Sequence, residues 1–171
     1  MNSGPDFDAL CRLAGGVGAA YRRRGWRLAT AESCTGGLVS AALTSVAGSS
    51  DWFDRGFVTY SNAAKSDLLG VNPALFAQVG AVSPEVANAM ALGACQRAGV
   101  QVAVAITGIA GPGGGTPEKP VGTVWFGLAR READAVRSET RHARLKGDRG
   151  SVRLQATELA LLWLVQAAQP A

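Results

Sequence analysis

The sequence predicts an α/β fold, a three-layer α/β/α sandwich around a mixed, mainly parallel sheet, and three observations predict it. Apolar residues recur with helical and strand periods in alternation along the chain. Val100–Thr107 is almost wholly apolar, as expected of a strand covered on both faces. Two further strand-like segments, Val121–Ala129 and Ala135–Leu145, follow each other across the short link Arg131–Asp134, which makes them the antiparallel portion. The 171 residues are 47% apolar and 18% charged, enough for one domain (1–171) with a full core and no staple. Abundant glycine and alanine with few aromatics point to helices packed closely on the sheet.

The elements follow in order. Leu10, Leu13, Val17 and Tyr21 space a helix over Asp6–Arg24, closed by Gly25. Arg27–Ala31 alternates as a strand and runs through a small-residue turn into a helix marked by Leu38, Val39, Ala42 and Leu43. After a loop at Ser45–Ser50, Gly56–Tyr60 reads as a strand. Asn62 then caps a helix Ala63–Leu69 that Gly70 ends. Ser83-Pro84-Glu85 is a strong helix start, and that helix continues to about Arg97. Gly108–Pro120 holds five glycines and three prolines and must be irregular. A last helix spans Asp148–Ala168, with Val152, Leu159, Leu162 and Val165 among its apolar positions.

Composition excludes several classes of function. No apolar run approaches the ~20 residues that span a bilayer, and the N-terminal MNSGPDFDAL lacks a secretory pattern, so a cytoplasmic, membrane-free protein is expected. Cys11, Cys34 and Cys95 share no ligand spacing and read as reduced thiols, and the single His142 has no flanking carboxylates. A catalytic zinc site is therefore not expected, nor a Ser-His-Asp triad unless His142 folds onto the nucleophile. A net charge of +4 with short arginine clusters offers no stripe for nucleic acid, but leaves small anions open. A homo-oligomer is expected.

Four segments could carry chemistry. In AESCTGG (31–37), Ser33 sits at a strand-to-helix turn. Unpaired backbone N–H groups around Thr35, Gly36 and Gly37 could hold an oxyanion there, although a serine so placed can equally be a plain helix cap. In YSNAAK (60–65), Lys65 is one of only three lysines in an arginine-rich chain. Lysine can act as a base when desolvated, whereas arginine cannot; alone it would equally be a surface cation. Thr107, Gly108, Gly111 and Gly113 belong to a glycine-rich stretch after the buried strand, where ligands of α/β sheets gather, but it fits neither a phosphate loop nor a dinucleotide fingerprint. Arg149, in GDR (147–149), opens the last helix and could grip a phosphate or carboxylate, with Arg153 next in line.

Together these segments resemble the CinA C-terminal domain family. The matching stretches are TAESCTGG (30–37), GFVTYSNAAK (56–65), GAVSPEVA (80–87), ITGIAGPGGG (106–115), KPVGTVWFG (119–127) and GDR (147–149), in the family's order over nearly the whole chain. The resemblance implies a nicotinamide-nucleotide amidase that hydrolyses the carboxamide of nicotinamide mononucleotide, without cofactor or metal. It implies a serine–lysine mechanism on Ser33 and Lys65, with Tyr60 near the dyad. Many members carry a further N-terminal domain, and this chain is expected to be the stand-alone form. The competing expectation is a non-catalytic binding or regulatory module tied to competence or DNA damage. A metal-dependent nucleotide-phosphate hydrolase would need carboxylates by the glycine loop, and Glu118 alone does not suffice.

Overall fold

The computed structural model describes residues 4–169. Helix α1 (Phe7–Arg24) starts at Asp6, whose carboxylate accepts the Ala9 N–H at 2.8 Å, and stops at the left-handed Gly25. Strand β1 (Leu28–Glu32) leads to α2 (Leu38–Thr44), and a 3₁₀ turn (Ser49–Asp51) leads to β2 (Phe53–Val58). Helices α3 (Asn62–Leu69), α4 (Ala74–Gln78) and α5 (Pro84–Ala98) precede β3 (Val102–Gly108). The hairpin β4 (Thr123–Arg131) and β5 (Val136–Arg144) and helix α6 (Arg149–Ala167) complete the chain.

The sheet order is β2-β1-β3-β4-β5. β1 pairs in parallel with β2 and β3, and β3/β4 and β4/β5 are antiparallel, so four strands run one way and β4 alone is reversed. The predicted α/β sandwich with its late antiparallel pair is thus the fold observed.

Each face of the sheet has its own core. Leu28, Val102, Val104, Ile106, Val124, Phe126 and Leu128 pack under α1, α2 and α6. The other face is mostly alanine (Ala29, Ala31, Ala103, Ala105, Ala129), which lets α5 lie close. A Cβ on Gly127 would fall 2.2 Å from the Ala87 carbonyl oxygen, so a side chain there would push α5 off the sheet.

Several local expectations shift. β2 starts three residues early and ends at Val58, because Phe53 pairs with Leu28, so Tyr60 lies past the strand end. Ser61, not Asn62, caps α3 by accepting the Ala64 N–H at 3.0 Å. Helix α4 was not predicted; it is a short turn begun when the Asn72 side chain accepts the Ala74 N–H. In α6, Leu159 and Leu162 are exposed, and the buried stripe is Val152, Ala156, Ala160, Leu161, Trp163 and Leu164. Leucines occur on more than one face of that helix, so leucine spacing alone selects the wrong stripe.

Parallel β1, β2 and β3 share one C-terminal edge, with Glu32 opposite both Val58 and Ile106. The turn after β1, the segment after β2 and the glycine-rich loop after β3 therefore leave the sheet together, where open α/β sheets hold ligands.

Candidate active site

Ser33 stands on the first residue past β1, its N–H bonded to the Ile106 carbonyl at 3.0 Å. The turn that follows is organised by its neighbour. Glu32 is fully buried, and its carboxylate accepts from Thr35 Oγ1 (2.7 Å), Gly37 N–H (3.0 Å), Val39 N–H (3.1 Å), Ser40 N–H (2.8 Å) and Ser40 Oγ (2.7 Å). Since the Ser40 proton goes to Glu32, the 2.8 Å contact with Thr30 has the Thr30 hydroxyl as donor. α2 begins at Gly37 (φ 99°), a conformation that suits glycine and brings no capping side chain, and Glu32 supplies the cap from the preceding strand. β2 must pass close to this cluster: a Cβ on Gly56 would lie 2.2 Å from Ser40 Oγ.

Lys65 reaches Ser33 from the opposite side. It projects from the first turns of α3, is 2% exposed, and its Nζ lies 3.0 Å from Ser33 Oγ and 2.8 Å from the Thr59 carbonyl oxygen, to which it donates. Burial holds its pKa below the ordinary lysine value, with the nearby Cys34 thiol opposing the shift. No carboxylate pairs with it among the described residues. A desolvated, unpaired amine in contact with a hydroxyl is arranged to accept its proton. Thr59 itself is anchored by its N–H on the Glu32 carbonyl at 2.8 Å.

Of the remaining predicted residues, Tyr60, Gly113 and Arg149 are exposed and form a rim, whereas Thr107 and Gly111 are buried. Tyr60 is 60% exposed, and its hydroxyl accepts from Arg149 Nη2 at 2.6 Å; neither Ser33 nor Lys65 hydrogen-bonds it. Arg149 Nη1 donates to the Gly111 carbonyl at 2.8 Å, so this one guanidinium ties the segment after β2 to the glycine loop. The Thr107 hydroxyl donates to the Ala81 carbonyl at 2.9 Å. Gly108 is packed against the nucleophile turn, where a Cβ would meet Val124 Cγ2 (2.8 Å), the Thr123 carbonyl oxygen (3.0 Å) and Cys34 Sγ (3.2 Å). Gly113 has open space around it.

Two of the predicted oxyanion donors are otherwise engaged. Gly36 N–H donates to the Ser33 carbonyl at 3.0 Å and Gly37 N–H to Glu32. Arg153, the predicted alternative to Arg149 for an anion, instead donates to the Cys34 and Thr35 carbonyls, both at 3.0 Å. Sequence reading missed the Thr59 carbonyl, for which no residue-type signal exists, and the capping role of Glu32. For Arg153, its place one helical turn after Arg149 was the available signal.

An α/β sandwich with a buried lysine on a turn serine at the strand ends is the class this geometry defines. A family model for the CinA C-terminal domain matches residues 11–168, and the chain belongs to that family. The nicotinamide-nucleotide amidohydrolase PncC of Enterobacter agglomerans is 55% identical over 152 residues, covering 89% of this chain and 91% of that protein. PncC of Escherichia coli K12 is 52% identical over 156 residues, covering 90% and 93%. The crystal structure of the competence/damage inducible protein CihA from Agrobacterium tumefaciens superposes with a TM-score of 0.87 at 43% identity, covering 99% of this chain and all of that one. Among the described residues no helix is long and apolar enough to cross a membrane.

Proposed function

We propose that this protein is a metal-independent nicotinamide-nucleotide amidase, converting nicotinamide mononucleotide to nicotinate mononucleotide and ammonia through an acyl-enzyme on Ser33. The observation that carries the reading is the 3.0 Å contact between Ser33 Oγ and the buried Lys65 Nζ, whose pKa burial lowers. The names of the PncC relatives support the substrate.

With Lys65 neutral, the Ser33 hydroxyl is the donor across their contact. Oγ adds to the carboxamide carbon, its proton passes to Nζ, and the carbonyl π pair moves onto oxygen. Collapse of this adduct breaks the C–N bond, the departing amine takes the proton from Nζ, and ammonia leaves an ester on Ser33. Water then adds to the ester carbon with its proton going to Nζ. The second collapse breaks the ester bond and returns that proton to Oγ, releasing nicotinate mononucleotide. The Thr59 carbonyl holds Nζ in place through both halves. The positive pyridinium ring of the substrate makes its carboxamide more electrophilic, and Arg149 with the glycine loop 111–115 provides a cation and unobstructed backbone for its phosphate.

Ammonia release from nicotinamide mononucleotide by the purified protein tests the reading. Wild type should turn over, and Ser33→Ala should be inactive with its fold unchanged. A wild-type protein that binds the nucleotide but releases no ammonia would revert the assignment to a ligand-binding module.

A further inference from the structure

A tetrahedral oxyanion at Ser33 needs backbone donors, and the hydrogen-bond pattern narrows where they are. From Ser33 to Ser40 the N–H groups of Ser33, Gly36, Gly37, Leu38, Val39 and Ser40 are all spent on Ile106, Ser33, Glu32, Thr35 and Glu32 again. Those of Cys34 and Thr35 donate to no oxygen or nitrogen among the described residues. The Cys34 thiol is neutral, since burial pushes its pKa up to about 11. Both residues are buried, but the Cys34 N–H lies on the peptide bonded directly to Ser33, so it is the unspent donor next to the nucleophile.

What aims that N–H is a chain of peptides that begins at Arg153. A trans peptide is planar and points its C=O and N–H in opposite directions. Arg153 Nη2 donates to the Thr35 carbonyl at 3.0 Å; the same peptide's N–H, on Gly36, donates to the Ser33 carbonyl at 3.0 Å; and that peptide's N–H belongs to Cys34. Arg153 Nε holds the intervening Cys34 carbonyl at 3.0 Å, so the guanidinium fork fixes two consecutive carbonyls in the middle of the turn. Each bond in such a chain polarises the next, and the first is charge-assisted. Gly36 has no side chain to obstruct this, and a Cβ there would stand 3.2 Å from Arg153 Nη2.

We propose that Arg153 is a positioning residue that orients and polarises the Cys34 N–H as the oxyanion donor, acting through the Thr35–Gly36 and Ser33–Cys34 peptides. This rests on Ser33 being the nucleophile, but not on which amide is cleaved. A fluorophosphonate probe separates the two: Ser33 Oγ bonds to phosphorus, fluoride leaves, the proton goes to Lys65, and the phosphoryl oxygen occupies the oxyanion position. Arg153→Met should slow Ser33 labelling, read by mass of the modified peptide, about tenfold or more, less than the about 10²–10³ typical of deleting a donor outright. The kcat for nicotinamide mononucleotide should fall in the same proportion with KM unchanged, and the preference for the mononucleotide over its riboside should not move. Arg153→Lys, which keeps the charge but not the fork, should recover part of the rate and keeps the test open if the methionine variant does not fold. Labelling within twofold of wild type in both variants overturns the proposal, as does a rise in KM alone or a lost preference for the phosphate. Wild type labelled at Ser33 but inactive on the mononucleotide would refute the substrate while leaving Arg153 to stand or fall by labelling. Wild type unlabelled at Ser33 refutes both.

Discussion

Behind Ser33 the Glu32 carboxylate and the carbonyls of the turn are tied down, whereas in front of it the polar side chains stand open. Glu32 on the back wall is fully buried and receives five donors within 3.1 Å, and Arg153 pins two carbonyls of the same turn. The rim holds the exposed Tyr60 and Arg149 and an exposed stretch from Pro112 to Glu118, joined across the opening by one guanidinium. Chemistry demands reacting groups held to about half an ångström, which a dense hydrogen-bond network behind them supplies. Ligand entry draws on parts with few buried contacts. Lys65 is the exception on the buried side: its ammonium has no counter-ion among the described residues, a cost accepted where a neutral amine is wanted.

That exception yields the largest expected effect. Lys65→Arg and Lys65→Met should each lower kcat by about 10²–10⁴, the range for losing a general base, because arginine stays protonated at any working pH. In wild type the rate should rise with pH as Lys65 loses its proton and level off below the ordinary lysine value of 10.5. Between the lowered native pKa and 10.5 the unfolded chain binds the extra proton, so native stability should gain with rising pH across that window. The Tm difference between wild type and Lys65→Met, followed against pH, should show this gain, and a flat difference would mean Lys65 is not desolvated in solution.

Glu32→Gln should separate the roles of the two buried side chains. A glutamine puts an NH₂ where at least two donors now find an acceptor, leaving them unpaired at about 1–3 kcal/mol each. Denaturant unfolding should show a loss of about 2–6 kcal/mol, with turnover falling as the turn loosens. Lys65→Met should lose turnover without losing stability at neutral pH. If Glu32→Gln were as stable as wild type, the back wall would not depend on its carboxylate.

The division between wall and rim also sets what the sequence could tell. The layers, the late hairpin, the Asp6, Ser83 and Asp148 helix starts and the pairing of Ser33 with Lys65 follow from local periodicity, capping chemistry and motif resemblance. The Ser61 cap and the start of β2 were displaced because Ser61 and Asn62 are both good caps and Asp54-Arg55 hide a strand start. Arg153 acts on carbonyls more than a hundred residues away. Backbone acceptors such as those of Thr59, Cys34 and Thr35 have no residue-type signature, so this part of the site was illegible before the fold brought it together.

On the rim, Arg149→Ala should weaken recognition of the mononucleotide more than of the uncharged riboside. Two of the five Arg149 N–H groups are held by Tyr60 and Gly111, so three are left for the phosphate that the proposed substrate carries. Loss of a charge-assisted contact costs about 1.5–3 kcal/mol, so the ratio of specificity constants should fall by one to two powers of ten. An unchanged ratio would make Arg149 only a strut between Tyr60 and the glycine loop.

The smallest effect is expected within that loop, from two glycines that sequence reading treats alike. Gly111 has φ 84° and a Cβ there would fall 2.6 Å from Val121 Cγ1, so Gly111→Ala meets both backbone strain and a clash. Gly113 has no positive φ and nothing within 4 Å of where a Cβ would stand. Gly113→Ala should therefore reduce only the freedom of the unfolded chain, raising stability by about 0.4–1 kcal/mol. Its kcat/KM for the mononucleotide should stay within about twofold of wild type, since less than about 0.5 kcal/mol of barrier is at stake. A much larger fall, with stability still raised, would show that the ligand approaches the Gly113 backbone more closely than a methyl group permits. The rim would then contribute shape as well as charge to recognition, narrowing its difference from the wall behind Ser33.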